Sequence, residues 1–382
     1  MALIWMIAGE PSGDVLGARL MAALSRRAPD VRFAGVGGSR MQAAGLASLF
    51  PFEALSLMGV VEVLPRLRLI RRRLRESAAD IARLRPAAVV SIDSPGFNLR
   101  LLRSIRPLGI PRAHYVAPQA WAWREGRVRH FPGLWERLLC LLPFEPAFFA
   151  RHHLAASFVG HPVLESGADK GNAAHFRARH GIAADTPILI VMPGSRAGEV
   201  ARHAGIFGAA LRLLLACHPG LRPVVPAAPA VRSALPSLLA DWPAAPVILE
   251  EEDEKPDAYA AASAALCKSG TSALELALGA VPMVIAYRLN PISGMIARRL
   301  VTVRHASLVN LLAGREVVPE LLQERCTPER LAASLAPLLE ESAAGAAQRA
   351  AFAPVLASLA PPSGTPSEAA ASAVLELIET RS

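Results

Sequence analysis

Four segments of the sequence combine glycine with side chains that can bind anions or move protons, and each lies at the end of a short apolar run. They are AGEPSGD at 8–14, IDSPGFN at 92–98, PGSRAGE at 193–199 and KSGTS at 268–272. Glycine lets the backbone approach a ligand, and the start of a following helix favours an anion. The pattern is typical of nucleotide or sugar phosphate sites, although any one segment also fits an ordinary capped turn.

In the first half, Asp93 follows the third apolar run, where a carboxylate could accept the proton of a sugar hydroxyl. The alternative is that Asp93 or Asn98 caps the next helix through an Asx turn. Further along, YVAPQAWAWREGRVR at 115–129 sets two tryptophans beside three arginines. Stacking and phosphate contacts would suit a base or a sugar phosphate, but tryptophan packed in the core at a helix end fits equally well.

In the second half, the hydroxyl of Ser195 and the guanidinium of Arg196 suit a diphosphate. The segment Ser269–Thr271 precedes another helix, and the carboxylate of Glu275, one turn inside, could accept hydrogen bonds from ribose hydroxyls. Two such loops predict a nucleoside diphosphate. The sequence has no G-x-x-x-x-G-K-[ST] segment, and G-x-G-x-x-G is missing after the first run, which argues against P-loop nucleotidases and dinucleotide oxidoreductases. No metal site and no cofactor are predicted.

The elements that position these segments alternate along the chain as short apolar runs and longer amphipathic stretches, which is typical of parallel sheets covered by helices. We therefore predict an α/β fold with two doubly wound halves separated by the polar segment Glu165–Asn172. The expected divisions are an N-terminal domain at 1–168, a C-terminal domain at 169–345 and C-terminal helices at 346–382. Ligands of such sheets bind beyond the carboxyl ends of the strands, where the four segments lie.

Charge and cysteine content limit the expected binding partners and the expected cellular compartment. The 382 residues carry a formal net charge of +9, mostly from arginine, because lysine occurs only at 170, 255 and 268. This favours phosphorylated substrates, nucleic acid or an acidic membrane surface. Four isolated cysteines predict no disulfide and suit a reducing cytosol. We expect no signal peptide and no membrane span, because the N-terminus lacks a basic region and no long apolar window is free of charge.

The segment Val60–Glu76 interleaves apolar residues with six arginines. Leu67, Ile70 and Leu74 recur at helical spacing and leave a basic opposite face. We interpret the segment as an interfacial helix on anionic lipid. The alternatives are a domain helix with a solvated basic face and a nucleic-acid contact, the latter without any recognised nucleic-acid module. The residues predicted to face the membrane are Val61, Val63, Leu64, Leu67, Ile70, Arg71, Arg72 and Arg73.

Taken together, these motifs resemble the lipid-A-disaccharide synthase family of bacterial glycosyltransferases, along almost the whole chain. Besides the segments already described, the resemblance rests on LMGVVEVL at 57–64, HYVAPQAWAWR at 114–124, LPFEP at 142–146, VGHP at 159–162, PMVIAY at 282–287 and NLLAG at 310–314. It implies a GT-B fold, in which two Rossmann-like domains face a central crevice and the last helices return to the first domain. Such an order of motifs makes chance similarity implausible.

The resemblance also implies an activity: metal-independent, inverting transfer of 2,3-diacylglucosamine from its UDP derivative to 2,3-diacylglucosamine 1-phosphate, with Asp93 as the base. Implied contacts with the sugar substrates are Glu10, Ser12, Gly13, Asn98, Gln119, Trp123 and Arg124. Implied contacts with UDP are Ser195, Arg196, Glu199, Ser269, Gly270, Thr271, Glu275 and Asn310. The expected location is the cytoplasmic face of the bacterial inner membrane, as a peripheral protein without nucleic-acid partners; a homodimer is left open.

Some positions depart from the family pattern. Gly96 replaces a frequent second acid, Gln119 a serine and Val309 a proline, while Lys268 stands where a small residue is common. Two rival hypotheses remain. A UDP-sugar epimerase or hydrolase of the same architecture would keep the nucleotide site but release free sugar, and a non-catalytic basic binding protein would gain no stability from UDP.

Overall fold

The computed structural model describes residues 2–52, 55, 60–123, 125–290 and 303–380, and the side chains of 60–67 lie outside this description. The chain divides into two units. Unit 1 comprises Met1–Pro162 and Leu359–Ser382, and unit 2 is the continuous segment Val163–Ser358. The predicted C-terminal segment 346–382 is therefore divided between the two units at Leu359.

Unit 1 is built on a parallel seven-stranded sheet in the order β3-β2-β1-β4-β5-β6-β7. Its strands are β1 (Leu3–Ala8), β2 (Arg32–Val36), β3 (Ala47–Ser48), β4 (Ala88–Ile92), β5 (Arg112–Tyr115), β6 (Arg137–Cys140) and β7 (Ala156–Phe158). Its helices are α1 (Pro11–Arg27), α2 (Ser39–Ala43), α3 (Val60–Leu84), α4 (Pro95–Ile105), α5 (Glu145–Ala150) and α14 (Pro366–Glu379). The predicted parallel α/β arrangement is therefore confirmed for this unit.

The first strand forms because LIWMIA is apolar throughout and is buried beyond its first residue, as expected for a central parallel strand. Its neighbour β2 approaches so closely that a Cβ on Gly35, at φ +135°, would lie 1.8 Å from the carbonyl oxygen of Met6. On one face of the sheet, α1 packs against α14, with Leu20 and Leu24 in the same core cluster as Val374.

Unit 2 has a parallel six-stranded sheet in the order β10-β9-β8-β11-β12-β13. Its strands are β8 (Ile188–Met192), β9 (Arg222–Pro226), β10 (Val247–Leu249), β11 (Ala264–Cys267), β12 (Met283–Tyr287) and β13 (Glu320–Leu322). Its helices are α6 (Ala173–His180), α7 (Ala197–Cys217), α8 (Leu235–Leu238), α9 (Lys255–Ala261), α10 (Ser272–Leu278), α11 (Leu308–Ala313), α12 (Pro328–Leu335) and α13 (Ala343–Ser358).

Helix α7 is the one helix, within the described residues, that is long and apolar enough to cross a membrane. Its apolar face is used inside the protein instead: Val200, Phe207 and Leu211 are buried in the core cluster of unit 2. Leu331 and Leu335 of α12 belong to the same cluster. Burial of that stripe explains its composition without a bilayer.

In both sheets the first strand lies inside the sheet, with later strands added on each side of it. In unit 1, β1 lies between β2 and β4, and in unit 2, β8 lies between β9 and β11. The connections that follow neighbouring strands therefore leave in opposite directions at these two positions. In the part of the chain that the structure describes, no crossover covers the loops after β1 and β4, or the loops after β8 and β11. Ligands of open parallel sheets bind at such switch points.

Two residues of helix α3 that were predicted to face the membrane, Ile70 and Arg73, instead contact the protein. Ile70 and Leu74 pack against the core of unit 1. The guanidinium of Arg73 lies 4.5 Å above the ring of Phe50 and pairs with Glu76 at 2.7 Å. Ile70 and Arg73 thus face the protein. An amphipathic stripe can pack against a protein core as well as against a bilayer, so the sequence pattern did not distinguish the two.

The remaining predicted interface residues divide into two groups. Arg71 and Arg72 are exposed, as are Arg68 and Arg75. The side chains of Val61, Val63, Leu64 and Leu67 lie outside the described residues.

Asp14 closes the AGEPSGD segment and joins two helices. Its carboxylate accepts the backbone N–H groups of Gly38 at 2.8 Å, Arg40 at 3.0 Å and Met41 at 3.1 Å, and so caps α2. We expect Asp14→Asn to lower the free energy of unfolding by about 1–3 kcal/mol, because its amide group would face N–H donors. Urea unfolding measures this. The exposed Asp30→Asn is the control, and equal midpoints for the two variants would contradict the capping role.

Candidate functional site

The first candidate site lies at the switch point of unit 1, where the loops after β1 and β4 touch. A Cβ on Gly9 would lie 2.7 Å from the hydroxyl oxygen of Ser94, so the two loops leave no room for a side chain there. Gly13 is also buried, and its Cβ would lie 3.3 Å from that of Ala8. Gly13 therefore allows close packing of α1 on β1, and its predicted contact with substrate stays a prediction.

Asp93 follows β4 directly and is half-buried. Its backbone N–H donates to the carbonyl oxygen of Tyr115 on β5 at 2.8 Å. Burial raises the pKa of its carboxyl above the ordinary value, and the hydrogen bond from the Ser94 N–H offsets this only in part. A raised pKa suits a general base, because proton transfer is most efficient when the pKa lies nearer the working pH.

The backbone at this point is strained. Asp93 has φ +48° and Ser94 has φ +44°, and two successive non-glycine residues in the left-handed region cost roughly 1–3 kcal/mol each. The amide nitrogen of Asn98 stabilises the turn by donating to the carbonyl oxygens of Ile92 at 3.0 Å and Asp93 at 2.7 Å. Such local strain is common at functional sites, where the surrounding structure holds one geometry.

Asn98 does not contact solvent and is fully buried in the first turn of α4. The prediction that it binds substrate is therefore corrected: it positions the Asp93 loop. Of the other residues predicted on this wall, Ser12 is exposed and Glu10 is half-buried at the N-cap of α1. The Glu10 side chain does not cap that helix.

The aromatic loop after β5 is anchored by a buried carboxylate. Glu145 accepts the indole N–H of Trp121 at 2.9 Å and the backbone N–H groups of Leu141 and Leu142 at 3.0 Å each. Burial raises the pKa of Glu145 to about 7, although these three donors act in the opposite direction. Trp121 also packs edge-on against Phe144. Trp121 is thus packed within the protein, which is one of the two roles that the sequence left open for these tryptophans.

The other residues of this loop are more accessible. Gln119 is exposed, and Trp123 is 39% exposed, with the guanidinium of Arg127 located 5.9 Å from its ring centre. Arg124 lies outside the described residues. The loop therefore presents an amide and an aromatic face to solvent.

The second candidate site lies at the switch point of unit 2, in the loops after β8 and β11. Gly194 has φ +153°, and a Cβ there would lie 2.6 Å from that of Glu199, so the turn requires glycine. The loop leads into α7, whose first residues, including Gly198, are exposed. A helix of 21 residues presents free N–H groups and the positive end of its dipole at this point.

Glu199 connects the two loops. Its carboxylate accepts the backbone N–H of Ser195 at 3.2 Å, the ammonium of Lys268 at 2.8 Å and the hydroxyl of Tyr287 at 3.4 Å. The guanidinium of Arg196 lies 3.7 Å away. Burial alone would raise the pKa of Glu199, but Lys268 and the other donors outweigh it and hold that pKa below the ordinary value.

An ionised carboxylate repels phosphate, so Glu199 does not suit direct contact with a diphosphate. The structure supports a positioning role for Glu199, and its predicted contact with UDP stays a prediction. Glu199 orients the ammonium of Lys268 and the Ser195 backbone by the hydrogen bonds described above.

The loop after β11 carries the remaining predicted contacts. The hydroxyl of Ser269 donates to the carbonyl oxygen of Ala306 at 2.6 Å, which fixes the loop. Thr271 is exposed, and open space surrounds the position a Cβ of Gly270 would take. Glu275 is half-buried and accepts the hydroxyl of Tyr259 at 3.4 Å. Burial raises the pKa of Tyr259 well above its ordinary value, so the phenol keeps the proton that it donates.

Asn310 is fully buried, and its side chain is used within the protein. Its amide nitrogen donates to Val318 O and Glu320 Oε1, both at 2.8 Å. Its oxygen accepts the N–H groups of Val317 at 2.7 Å and Val318 at 2.9 Å. The predicted UDP contact is therefore corrected: Asn310 holds the segment that leads into β13.

Sequence reasoning missed two residues beside Glu199. Tyr287 ends β12, and its position at the carboxyl end of an apolar run was the available signal. His203 lies one helical turn beyond Glu199; its Nδ1 donates to Pro193 O at 2.7 Å and its Nε2 accepts the N–H of Arg288 at 3.0 Å. Burial lowers the pKa of His203, in keeping with this neutral arrangement.

Within the described ranges, no group of three or more histidine, cysteine, aspartate or glutamate side chains is placed to hold a metal ion. The features of unit 2 that could hold a phosphate are cationic side chains, a helix N-terminus and hydroxyl groups.

Comparison with known proteins gives a consistent result along the whole chain. A family model described as lipid-A-disaccharide synthetase matches residues 4–372. A lipid-A-disaccharide synthase from Gluconobacter oxydans is 55% identical over 376 residues, which cover 98% of this chain and 91% of that protein. A second, from Granulibacter bethesdensis, is 53% identical over 98% of each chain.

Solved structures of low sequence identity share the fold. The calicheamicin glycosyltransferase CalG4 is 16% identical, with a TM-score of 0.60 over 99% of this chain and 98% of its own. A UDP-GlcNAc 2-epimerase from Neisseria meningitidis, bound to UDP-GlcNAc, is 11% identical, with a TM-score of 0.59 over 99% and 100%. With the two parallel sheets, these likenesses confirm the predicted GT-B fold class.

A variant of Asn310 tests its corrected role. We expect Asn310→Ala to lower the free energy of unfolding by about 3 kcal/mol in the absence of any nucleotide, because it leaves several buried backbone groups unpaired. Urea or thermal unfolding measures this, with the nearby exposed Glu316→Ala as the control. An unchanged midpoint together with weaker UDP binding would restore the direct contact.

Proposed function

The chain belongs to the lipid-A-disaccharide synthetase family, and we propose that it transfers 2,3-diacylglucosamine from UDP-2,3-diacylglucosamine to 2,3-diacylglucosamine 1-phosphate. The protein is thus a glycosyltransferase of lipid A biosynthesis. Its products would be UDP and the β-1,6-linked disaccharide 1-phosphate. The match of the family model over residues 4–372 carries this conclusion.

We assign the UDP part of the donor to unit 2. The N-terminus of α7, with Ser195 and Arg196, would hold the diphosphate, because free N–H groups and a guanidinium meet there. The open space at Gly270 and the exposed Thr271 would let the diphosphate approach the second loop. Glu275, held by the Tyr259 hydroxyl, would accept hydrogen bonds from ribose.

Unit 1 would supply the base. An α-linked donor that gives a β product requires displacement with inversion at C1 of the donor sugar. As the 6-hydroxyl oxygen of the acceptor forms its bond to C1, the carboxylate of Asp93 accepts the hydroxyl proton. The bond between C1 and the β-phosphate oxygen breaks, and its electron pair leaves with UDP. The exposed Ser12, Gln119 and Trp123 are proposed to contact the sugar substrates, together with Glu10 and Arg124.

We expect Asp93→Asn to lower kcat by about 10²- to 10⁴-fold, the usual contribution of a general base. UDP affinity should be unchanged, because the proposed UDP contacts lie in unit 2. In the wild type, kcat/KM should fall as the pH is lowered through the pKa of Asp93, since the base must be ionised and burial raises that pKa above 3.8. A pH–rate profile checks this, and near-normal turnover by the variant would exclude Asp93 as the base.

Direct assay tests the function itself. The purified protein is incubated with both proposed substrates without added divalent metal, and the disaccharide 1-phosphate is sought by mass spectrometry. Its formation supports the transferase. Release of UDP with free sugar would favour the epimerase or hydrolase, and failure of a folded protein to bind UDP would favour the non-catalytic alternative.

We further propose that the exposed face of α3 docks on anionic lipid at the cytoplasmic face of the inner membrane. Arg68, Arg71 and Arg75 recur at helical spacing and are exposed, with Arg72 beside them in a pair with Glu76. Each arginine near an acidic membrane contributes about 1 kcal/mol of attraction. Because the acyl chains of both substrates partition into bilayers, such docking would bring the enzyme to them.

We expect the wild type to float with anionic liposomes at low salt and to be released at high salt. Changing Arg68, Arg71 and Arg75 to Glu should abolish this association. The control changes Arg27, Arg32 and Arg222 to Glu, which alters the net charge equally at exposed sites elsewhere. If both triple variants lose binding alike, the attraction depends on overall charge and not on α3.

A further inference from the structure

Lys268 is one of only three lysines in the chain, and it lies beside the second candidate site. It follows β11 directly, and its backbone N–H donates to the carbonyl oxygen of Met192 at the end of β8. Its side chain is 19% exposed and extends toward the loop after β8. There the ammonium lies 2.8 Å from Glu199 Oε2 and 3.5 Å from the hydroxyl oxygen of Ser195.

Two cations meet at one carboxylate in this cluster. Glu199 lies 2.8 Å from the ammonium of Lys268 and 3.7 Å from the guanidinium of Arg196. The neighbouring His203 is held in its neutral form by its two backbone contacts. The two cations lie at the loop that leads into α7, whose N-terminus carries the positive end of the helix dipole, and this combination suits an anion.

The ammonium of Lys268 also has capacity for another hydrogen bond. An ammonium carries three N–H donors, one of which is used by Glu199. The distance of 3.5 Å to Ser195 is long for a hydrogen bond and indicates a weak one. The lysine therefore lies between two phosphate-binding loops with at least one donor available.

We propose that Lys268 donates a hydrogen bond to the diphosphate of the UDP-sugar and stabilises the charge that collects on the departing β-phosphate. The inference rests on the proposed function, since it adds a second cation to Arg196 at the same site. When the bond from C1 of the sugar to the β-phosphate oxygen breaks, the electron pair remains on that oxygen, beside the ammonium. Glu199 keeps Lys268 in position before the donor binds.

The family resemblance led us to expect a small residue immediately before SGT, and a small side chain could not reach Ser195 or Glu199. A cation added at this point gives the leaving group a second charged partner, and preorganised charge of this kind is usually a large contribution to catalysis.

The test measures UDP and uridine binding by calorimetry, and turnover, for Lys268→Met. We expect UDP binding to weaken about 10- to 100-fold, the usual effect of losing one hydrogen bond to a charged group. Uridine binding should be unchanged, because uridine has no diphosphate. Lys255→Met is the matched control: Lys255 is 24% exposed and lies 3.8 Å from Glu252, and its loss should leave UDP binding unaltered.

Equal binding of UDP by Lys268→Met and the wild type would overturn the proposal, as would an equal loss of uridine binding. Because the single change leaves Glu199 without its main partner, the double variant Lys268→Met, Glu199→Gln removes both charges and protects the fold. It too should bind UDP more weakly than the wild type, and normal affinity would overturn the proposal. Disaccharide synthesis by the wild type is assayed separately, so the proposed function can fail while the Lys268 result stands.

Discussion

Both candidate sites depend on one constraint, the direction in which parallel strands can be connected. A crossover must leave each strand at its carboxyl end and return at its amino end, so a sheet that grows outward from its first strand leaves two adjacent loops uncovered. In unit 1 these loops hold Gly9 and Asp93, and in unit 2 they hold Ser195 and Lys268. The same topology thus brings together residues that are 70 or more positions apart in sequence.

The carboxylates at the two switch points differ in what determines their charge. At Asp93, burial is the main influence and favours the protonated form, which suits a group that must take up a proton. At Glu199, cationic partners outweigh burial, so the carboxylate stays ionised and serves to orient Lys268. In the function that we propose, proton transfer and charge stabilisation, the two demands of glycosyl transfer from a nucleotide, would thus fall to sites of different electrostatic character.

Much of the fold and the position of both sites were predictable, because apolar runs such as Leu3–Ala8 are long and their glycine-containing ends are distinctive. Strand β13 is harder to predict, because it has three residues and begins with a buried glutamate. Side-chain roles were harder to predict. Asn98 and Asn310 are polar residues in motifs, yet both point inward, because spacing alone does not reveal whether an amide bonds to backbone or to ligand. Ile70 was equally ambiguous, because helical spacing does not reveal whether an apolar side chain packs against the protein core or against lipid.

The return of α14 to the first sheet has a consequence for how the protein is made. Unit 2 is continuous, but unit 1 is completed only by the final segment from Leu359 onward. The apolar face of α1, which includes Leu20 and Leu24, is covered in part by Val374. In a nascent chain this face therefore stays uncovered until the segment from Leu359 onward has been synthesised, whereas all residues of unit 2 precede that segment. The Asp93 site belongs to the unit that needs this later segment.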